Sequence, residues 1–359
     1  MLRRMMDILC CPVCKADLSL SVESLIRLQR PSPMPPPGCR SRCEYARRLL
    51  RSEEDRRRSH DLCEQCYWED VDEGSLSCPR GHTFPISGSI PRLLPTGVKR
   101  QRTRETFDVE WTGFKHGERI YGHSREEELE DFFCRMAVEP ALLKGKTVLD
   151  AGCGVGRLAL GISRLAREVV AMDFSEGVEG ARETARGSPH VHIVQGDLMC
   201  PPFRRGSFDH VYSKGVLHYV PEVQACIGRL TELVREGGAL SITLYPRMSR
   251  PFEVFNRLLR VVTVRLPLSS IYVLSHLLAP LLPLSWRWSG LRYRPIEPED
   301  RAHMIFNWLS SEYQNRADTQ EVAAWLRDLG FTEVRVSKIP VGITATKFNT
   351  PFSPAAAAM

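Results

Sequence analysis

From residue 147 onward, short apolar runs alternate with helical patterns. The segments Thr147–Asp150, Glu168–Asp173, Val191–Val194, Phe208–Ser213 and Ala239–Tyr245 read as strands. Helical spacing fills the gaps to about Ala166, near 176–186 and over 222–235. A helix at Thr319–Leu329 and strands near 333–338 and 342–347 resume the pattern after an interruption. Alternation at this spacing predicts a parallel, doubly wound α/β sheet with helices on both faces.

The remaining segments divide the chain. Residues 1–97 show little periodicity and are rich in Cys and Pro, with a stiff stretch at Pro31–Gly38. Residues 98–140 read as a helical connector in which Phe107, Trp111 and Phe114 lie close together, and 141–350 as the α/β domain. An apolar helical insert is expected at about 250–315. Within the first segment, residues 40–58 hold eight arginines against four acids, which predicts a solvated, partly disordered insert or a basic helix.

Composition changes this picture in one respect. The 359 residues are 43% hydrophobic and 26% charged with a net charge of +6, an ordinary globular balance. The first nine residues carry Arg3 and Arg4 and no apolar stretch, which reads as a chain without a secretory leader. Eight of the 12 cysteines lie before residue 80 in closely spaced pairs, so they predict metal binding in a reducing compartment, the cytoplasm.

The stretch Val148-Leu-Asp-Ala-Gly-Cys-Gly-Val-Gly-Arg157 carries the most specific chemistry. Asp150 ends the first strand. Gly152, Gly154 and Gly156 let the backbone turn sharply and approach a ligand, which the loop then presents to a helix N-terminus. Ligands of such sheets lie beyond the carboxyl ends of the strands. Asp173 ends the second strand, placed to accept bonds from two ribose hydroxyls. Asp197 follows the third, placed to accept from an adenine amino group while Leu198 covers the ring. An NAD enzyme would share the first two features.

Five segments, VLDAGCGVGR (148–157), AMDFS (171–175), QGDL (195–198), SFDHVYSKGVLHYVPE (207–222) and LVREGGALSIT (233–243), resemble class I S-adenosylmethionine-dependent methyltransferases of the type 11 group. The resemblance implies a Rossmann-like seven-stranded sheet whose last strand is antiparallel. It also implies S-adenosylmethionine as cofactor, with the glycine loop near its methionine part, Asp173 at the ribose and Asp197 at the adenine. The loop from Ser213 to Tyr219 should border the cofactor's methyl and the acceptor. There His218 is a candidate general base; Tyr219 and Tyr121 are weaker ones. Cys153 reads as a small packing residue.

Cys11 and Cys14 form a C-x2-C knuckle, and Cys78 with His82 a C-x3-H. Together they supply the four ligands of a closed, structural zinc site. Their surroundings resemble the zinc-ribbon module fused ahead of many type 11 methyltransferases, although residues 15–77 make an unusually long loop between the knuckles. Cys39, Cys43, Cys63 and Cys66 are candidates for a second, nested site, or Cys63 and Cys66 could join Cys11 and Cys14 instead. Cys10 reads as a spectator.

Leu266 to Trp286 contains no charged side chain, but Pro267, Pro280 and Pro283 interrupt it and arginines flank it. No transmembrane span is expected. The segment 251–293 reads as helices capping the acceptor pocket, or as a peripheral contact with a membrane. Trp308, Tyr313 and Trp325 read as core. The function expected is methyl transfer to a small-molecule or lipid-like acceptor. The alternatives are a ribosomal or transfer RNA methyltransferase that grips RNA with its ribbon, and a non-catalytic cofactor-binding scaffold.

Overall fold

The structure is a computed structural model, described here for residues 1–27, 38–60, 62–95, 97, 101–113, 119–280, 297–338 and 341–348. The proline-rich stretch 31–37, Phe114, residues 281–296 of the apolar insert and the C-terminal tail lie outside the described residues.

The N-terminal region contains strands β1 (Ser19–Arg27), β2 (Arg42–Cys43), β3 (Arg48–Leu49), β4 (Glu69–Ser77), β5 (Thr83–Ser87) and β6 (Ile90–Leu93), with helices α1 (Glu53–His60) and α2 (Cys63–Trp68). Two helices follow, α3 (Gln101–Gly113) and α4 (Arg125–Met136). The α/β region then runs β7 (Thr147–Ala151), α5 (Arg157–Ile162), β8 (Glu168–Asp173), α6 (Gly177–Thr184), β9 (Val191–Gly196), β10 (Phe208–Ser213), α7 (Val223–Leu233) and β11 (Val234–Thr243). Helices α8 (Arg250–Thr263), α9 (Leu268–Leu278), α10 (Pro298–Ser310) and α11 (Thr319–Asp328) precede β12 (Arg335–Val336) and β13 (Gly342–Thr346).

The order β9-β8-β7-β10-β11-β13-β12 is the seven-stranded doubly wound sheet, with β13 antiparallel to both of its neighbours. Strands β7 to β10 are buried on both faces, as parallel strands between two helical layers must be. Helix α4 starts at a reciprocal cap, in which the Ser124 hydroxyl accepts from Glu127 N–H and the Glu127 carboxylate from Ser124 N–H.

The sheet does not stop at β9. Strand β6 pairs with it in parallel, Arg92 opposite Gln195, and β5, β4 and β1 extend the array antiparallel to make 11 strands. The cores merge likewise: Met5, Leu9, Leu76 and Phe84 share one apolar cluster with Val170, Met172, Phe203 and Phe208.

At the junction a buried guanidinium meets a buried carboxylate. Arg4 donates to Asp7 at 3.0 Å and to Glu168, on β8, at 3.1 Å. Glu168 also accepts from the Tyr67 hydroxyl at 3.2 Å and lies 3.1 Å from His192 Nε2. Burial alone would raise the Glu168 carboxyl, yet Arg4 and His192 hold it down at about 2.

Asp7 accepts three further bonds, from the backbone N–H groups of Arg40, Ser41 and Arg42 at 2.7–2.8 Å. Arg40 also reaches Asp209, at the start of β10. The 40–58 insert is thus ordered at its entry and solvated beyond it, with Arg57 and Arg58 exposed on helix α1. One carboxylate saturates the backbone of its entry and docks the β2–β3 hairpin, and α1 follows as a regular helix.

Arg4→Leu is expected to cost about 3–5 kcal/mol, since it strands the Glu168 charge in the interior, whereas the double variant Arg4→Leu/Glu168→Leu should cost far less. Urea titrations of both measure this. The folded carboxyl titrates at about 2 against 4.5 when free. The stabilisation from the pair should therefore be complete above pH 4.5 and fade as pH falls toward 2.

Candidate active site

A cavity of about 490 Å³ opens at the carboxyl ends of β7, β8, β9 and β10, walled opposite by α3, α8 and α10. Its volume lies within the range of small-molecule sites. Gly152 and Gly154 line it with φ of +97° and +51°. A Cβ at Gly154 would sit 2.6 Å from the Trp111 ring, so only glycine lets α3 settle this low over the loop. Gly156 does not line the cavity. A Cβ there would strike Ala181 of α6, so this glycine serves helix packing and the ligand role expected for it is corrected.

The acids fall as follows. Asp173 accepts from Gly154 N–H at 2.9 Å through one oxygen and from the Ser175 N–H and hydroxyl through the other. It thus ties the glycine loop to the end of β8 while lining the cavity. Asp197 lines it too, accepting from Met199 N–H at 2.8 Å, with Leu198 beside it. Asp150 is buried against the Tyr212 hydroxyl, and burial pushes its carboxyl up to about 8. Ser213 is corrected: it donates to the Ala151 carbonyl at 2.8 Å and stays out of the cavity, spent on joining two strands.

His218 lines the cavity, but it is buried and stacked on Tyr245 with ring centres 3.6 Å apart. Burial, reinforced by Arg316, pushes its pKa down to about 3. Burial and stacking thus favour the neutral ring, which forms part of the cavity wall. Cys153 lies in the loop with its thiol pushed well up by burial, in keeping with a packing role.

Sequence reasoning missed Glu110. It is buried on α3 beside Trp111 and accepts from the Tyr121 hydroxyl, which in turn accepts from Asn307 of α10 at 3.0 Å. Asn307 also bonds the carboxyl, but burial outweighs this and pushes it up to about 8. The available signal was the spacing of Phe107, Glu110 and Trp111, which puts all three on one helix face. Phe107 packs edge-on against Tyr219, 5.1 Å between centres, and the Tyr219 and Tyr245 hydroxyls are 2.9 Å apart. Trp308, expected in the core, instead borders the cavity and donates to Asn256 of α8 at 2.6 Å.

The four expected metal ligands converge away from this cavity. The Sγ atoms of Cys11, Cys14 and Cys78 and a ring nitrogen of His82 lie within 4.8 Å of one another. The Cys14–Cys78 sulfur separation is 3.7 Å, and His82 Nδ1 lies 3.2 Å from Cys78 and 3.7 Å from Cys11. A zinc tetrahedron with arms of about 2.3 Å has edges of about 3.7 Å, which these separations fit. The swapped pairing is excluded. Among the described residues Cys39, Cys43, Cys63 and Cys66 form no group as tight as the first, although the hairpin and α2 bring them together: Cys39 bonds Cys43, and Cys66 interacts with Cys43 and Cys63. No described helix is long and apolar enough to cross a membrane.

Comparison with known proteins agrees with this geometry. The family described as methyltransferase domain matches residues 149–242, and the Trm112p-like family matches residues 3–89. The chain is 26% identical over 222 residues to a demethylmenaquinone methyltransferase of Geobacillus kaustophilus, covering 60% of this chain and 82% of the relative. It is also 26% identical over 215 residues to one of Clavibacter sepedonicus, covering 58% and 74%. Among solved structures, a chain from the complex between the Haloferax volcanii Trm112 methyltransferase activator and a methyltransferase aligns at 17% identity with a TM-score of 0.43, covering 70% of this chain and 100% of that one. The chain thus joins a Trm112-like zinc-ribbon domain to a type 11 methyltransferase domain, and it is an S-adenosylmethionine-dependent methyltransferase.

Proposed function

We propose that the chain methylates an apolar, ring-bearing small molecule that carries an oxygen near the methylated atom, a quinol-like acceptor. Glu110 carries this reading. Titrating at about 8 in an aromatic-walled cavity, it is mostly neutral at pH 7. Tyr121 and Asn307 orient the carboxyl, and a carboxylic acid kept neutral by an apolar site is suited to donating a hydrogen bond to a ring oxygen of the acceptor. The relatives named as demethylmenaquinone methyltransferases support the same acceptor class.

S-adenosylmethionine supplies, when bound, an electrophilic methyl that carries its own leaving group. The protein's part is therefore orientation and exclusion of water. In this reading Asp173 accepts from the ribose hydroxyls, and Asp197 with Leu198 holds the adenine. Gly152 and Gly154 pass the methionine end beneath Trp111. Phe107, Tyr219, Tyr245 and Trp308 confine the acceptor. Cys11, Cys14, Cys78 and His82 hold a structural zinc that fixes the ribbon.

The RNA alternative has less support. Several arginines of the 40–58 segment face acids: Arg40 pairs with Asp209, Arg42 with Glu44, Arg57 with Glu53 and Arg58 with Glu54. That leaves less uncompensated charge for phosphates.

Incubation with methyl-labelled cofactor and fractionated cell extract is expected to place label in the organic-soluble, quinone-containing fraction; label confined to RNA would reject the acceptor class. Asp173→Ala should weaken cofactor binding by about 2–3 kcal/mol, roughly a hundredfold in Kd, by calorimetry. Glu110 titrates at about 8 when folded against 4.5 when free, so its contribution to stability is full below pH 4.5 and is lost as pH rises through about 8. Glu110→Gln should flatten the corresponding fall in Tm, read by thermal unfolding across that range. Chelation should release about one zinc per chain and lower the Tm.

A further inference from the structure

Helix α8 is built inside out. At 100° per residue its sequence separates into two faces. One carries Asn256, Arg260 and Thr263, all buried: Asn256 bonds Gln314 and Trp308, and Arg260 donates to the backbone carbonyls of Trp308 and Ser311. The other face is an unbroken apolar arc turned to solvent. Val254 is 59% exposed, Phe255 60%, Leu258 66%, Val261 51% and Val262 58%. In a helix that only covers a domain the two faces would be exchanged. Helix α9 exposes two more large side chains, Val273 and Leu277.

The exposed charges that α8 and α9 themselves carry around this arc are basic, with Glu312 the acid facing Arg257 and Arg265 from the neighbouring segment. Arg250, Arg257 and Arg265 are exposed, while Glu253, the one acid between residues 250 and 278, turns inward to an ion pair with Arg316 at 3.3 Å. An apolar arc flanked by arginines is complementary to a surface that is apolar in depth and anionic at its rim. We propose that α8 lies in the headgroup layer of a bilayer containing anionic phospholipids, with its apolar arc in the acyl boundary and its arginines at the phosphates. The same helix contributes Phe252 to the cavity wall and holds Trp308 through Asn256, so docking sets the methyl-transfer cavity beside the lipid phase. The inference stands on α8 alone and requires no particular acceptor.

The test is sedimentation of the full-length chain with vesicles of phosphatidylcholine, with and without phosphatidylglycerol. Wild type is expected to co-sediment with the anionic vesicles and to be released by salt. Phe255→Asp/Leu258→Asp should lower the bound fraction by at least about tenfold. Both positions are exposed, so the variant's Tm and cofactor heat should match wild type. Arg257→Gln/Arg265→Gln should lose the preference for phosphatidylglycerol. The proposal is overturned if wild type ignores both vesicles, if the aspartate variant binds as wild type does, or if that variant merely converts a dimer into a monomer, which would make the arc a contact between copies. Cofactor heat, measured on the same preparation, reports separately on the methyltransferase site.

Discussion

The fold turns on the meeting of Arg4 with Glu168. Neither charge is tolerable alone at such depth. The carboxylate belongs to β8, a central strand of the catalytic sheet, and the guanidinium to the first turn of the ribbon. Each half therefore carries a buried charge that the other helps to neutralise, beside Asp7 in the ribbon and His192 in the sheet. Asp7 carries the arrangement outward by binding both Arg4 and the backbone entry of the hairpin. Position along the sheet, and hence the line of strand ends that border the cavity, follows from this anchoring.

Much of the catalytic half was legible from pattern. Parallel strands buried on both faces announce themselves as apolar runs, and β8 and β10 fall where the runs place them. The metal cluster was equally legible, because ligand spacing survives whatever lies between the knuckles. The pairing of β1 with β4 was not, since Leu20 and Leu76 meet only after the chain has left and returned, and both strands are partly polar. The ordered entry of the 40–58 segment escaped for a related reason. It depends on a single distant carboxylate, which no local propensity reveals.

Site residues divide the same way. Asp173 and Asp197 are positioned by strand ends and could be placed from the sequence. Ser213 and Gly156 sit at equally suggestive points, but hydrogen bonding to a neighbouring strand and contact with α6 claim them. Glu110, Tyr121 and Asn307 come from three separate segments that tertiary packing alone assembles. The cavity's character comes from that assembly. Asp150 and Glu110 are acids in surroundings too apolar to ionise them readily, and His218 is a base in surroundings that keep it neutral. The chamber thus holds several titratable groups in their neutral forms, while the Arg316 guanidinium lies over the Tyr245 and Phe252 rings and pairs with Glu253.

The pairing of β6 with β9 has a consequence of its own. A methyltransferase sheet ending at β9 would present a row of unsatisfied amides and carbonyls along a rigid strand, the kind of rim that recruits other chains. Here the ribbon pairs with the end of that rim, at Gln195 and Gly196, and the array ends instead at β1, a largely solvent-exposed strand carrying Glu23 and Arg27. The module in front of the catalytic half therefore shortens the open rim of the parallel sheet and moves the free edge to a charged, antiparallel strand. Anything that loosens it should show first as clumping of the protein, before any change in the shape of the cavity.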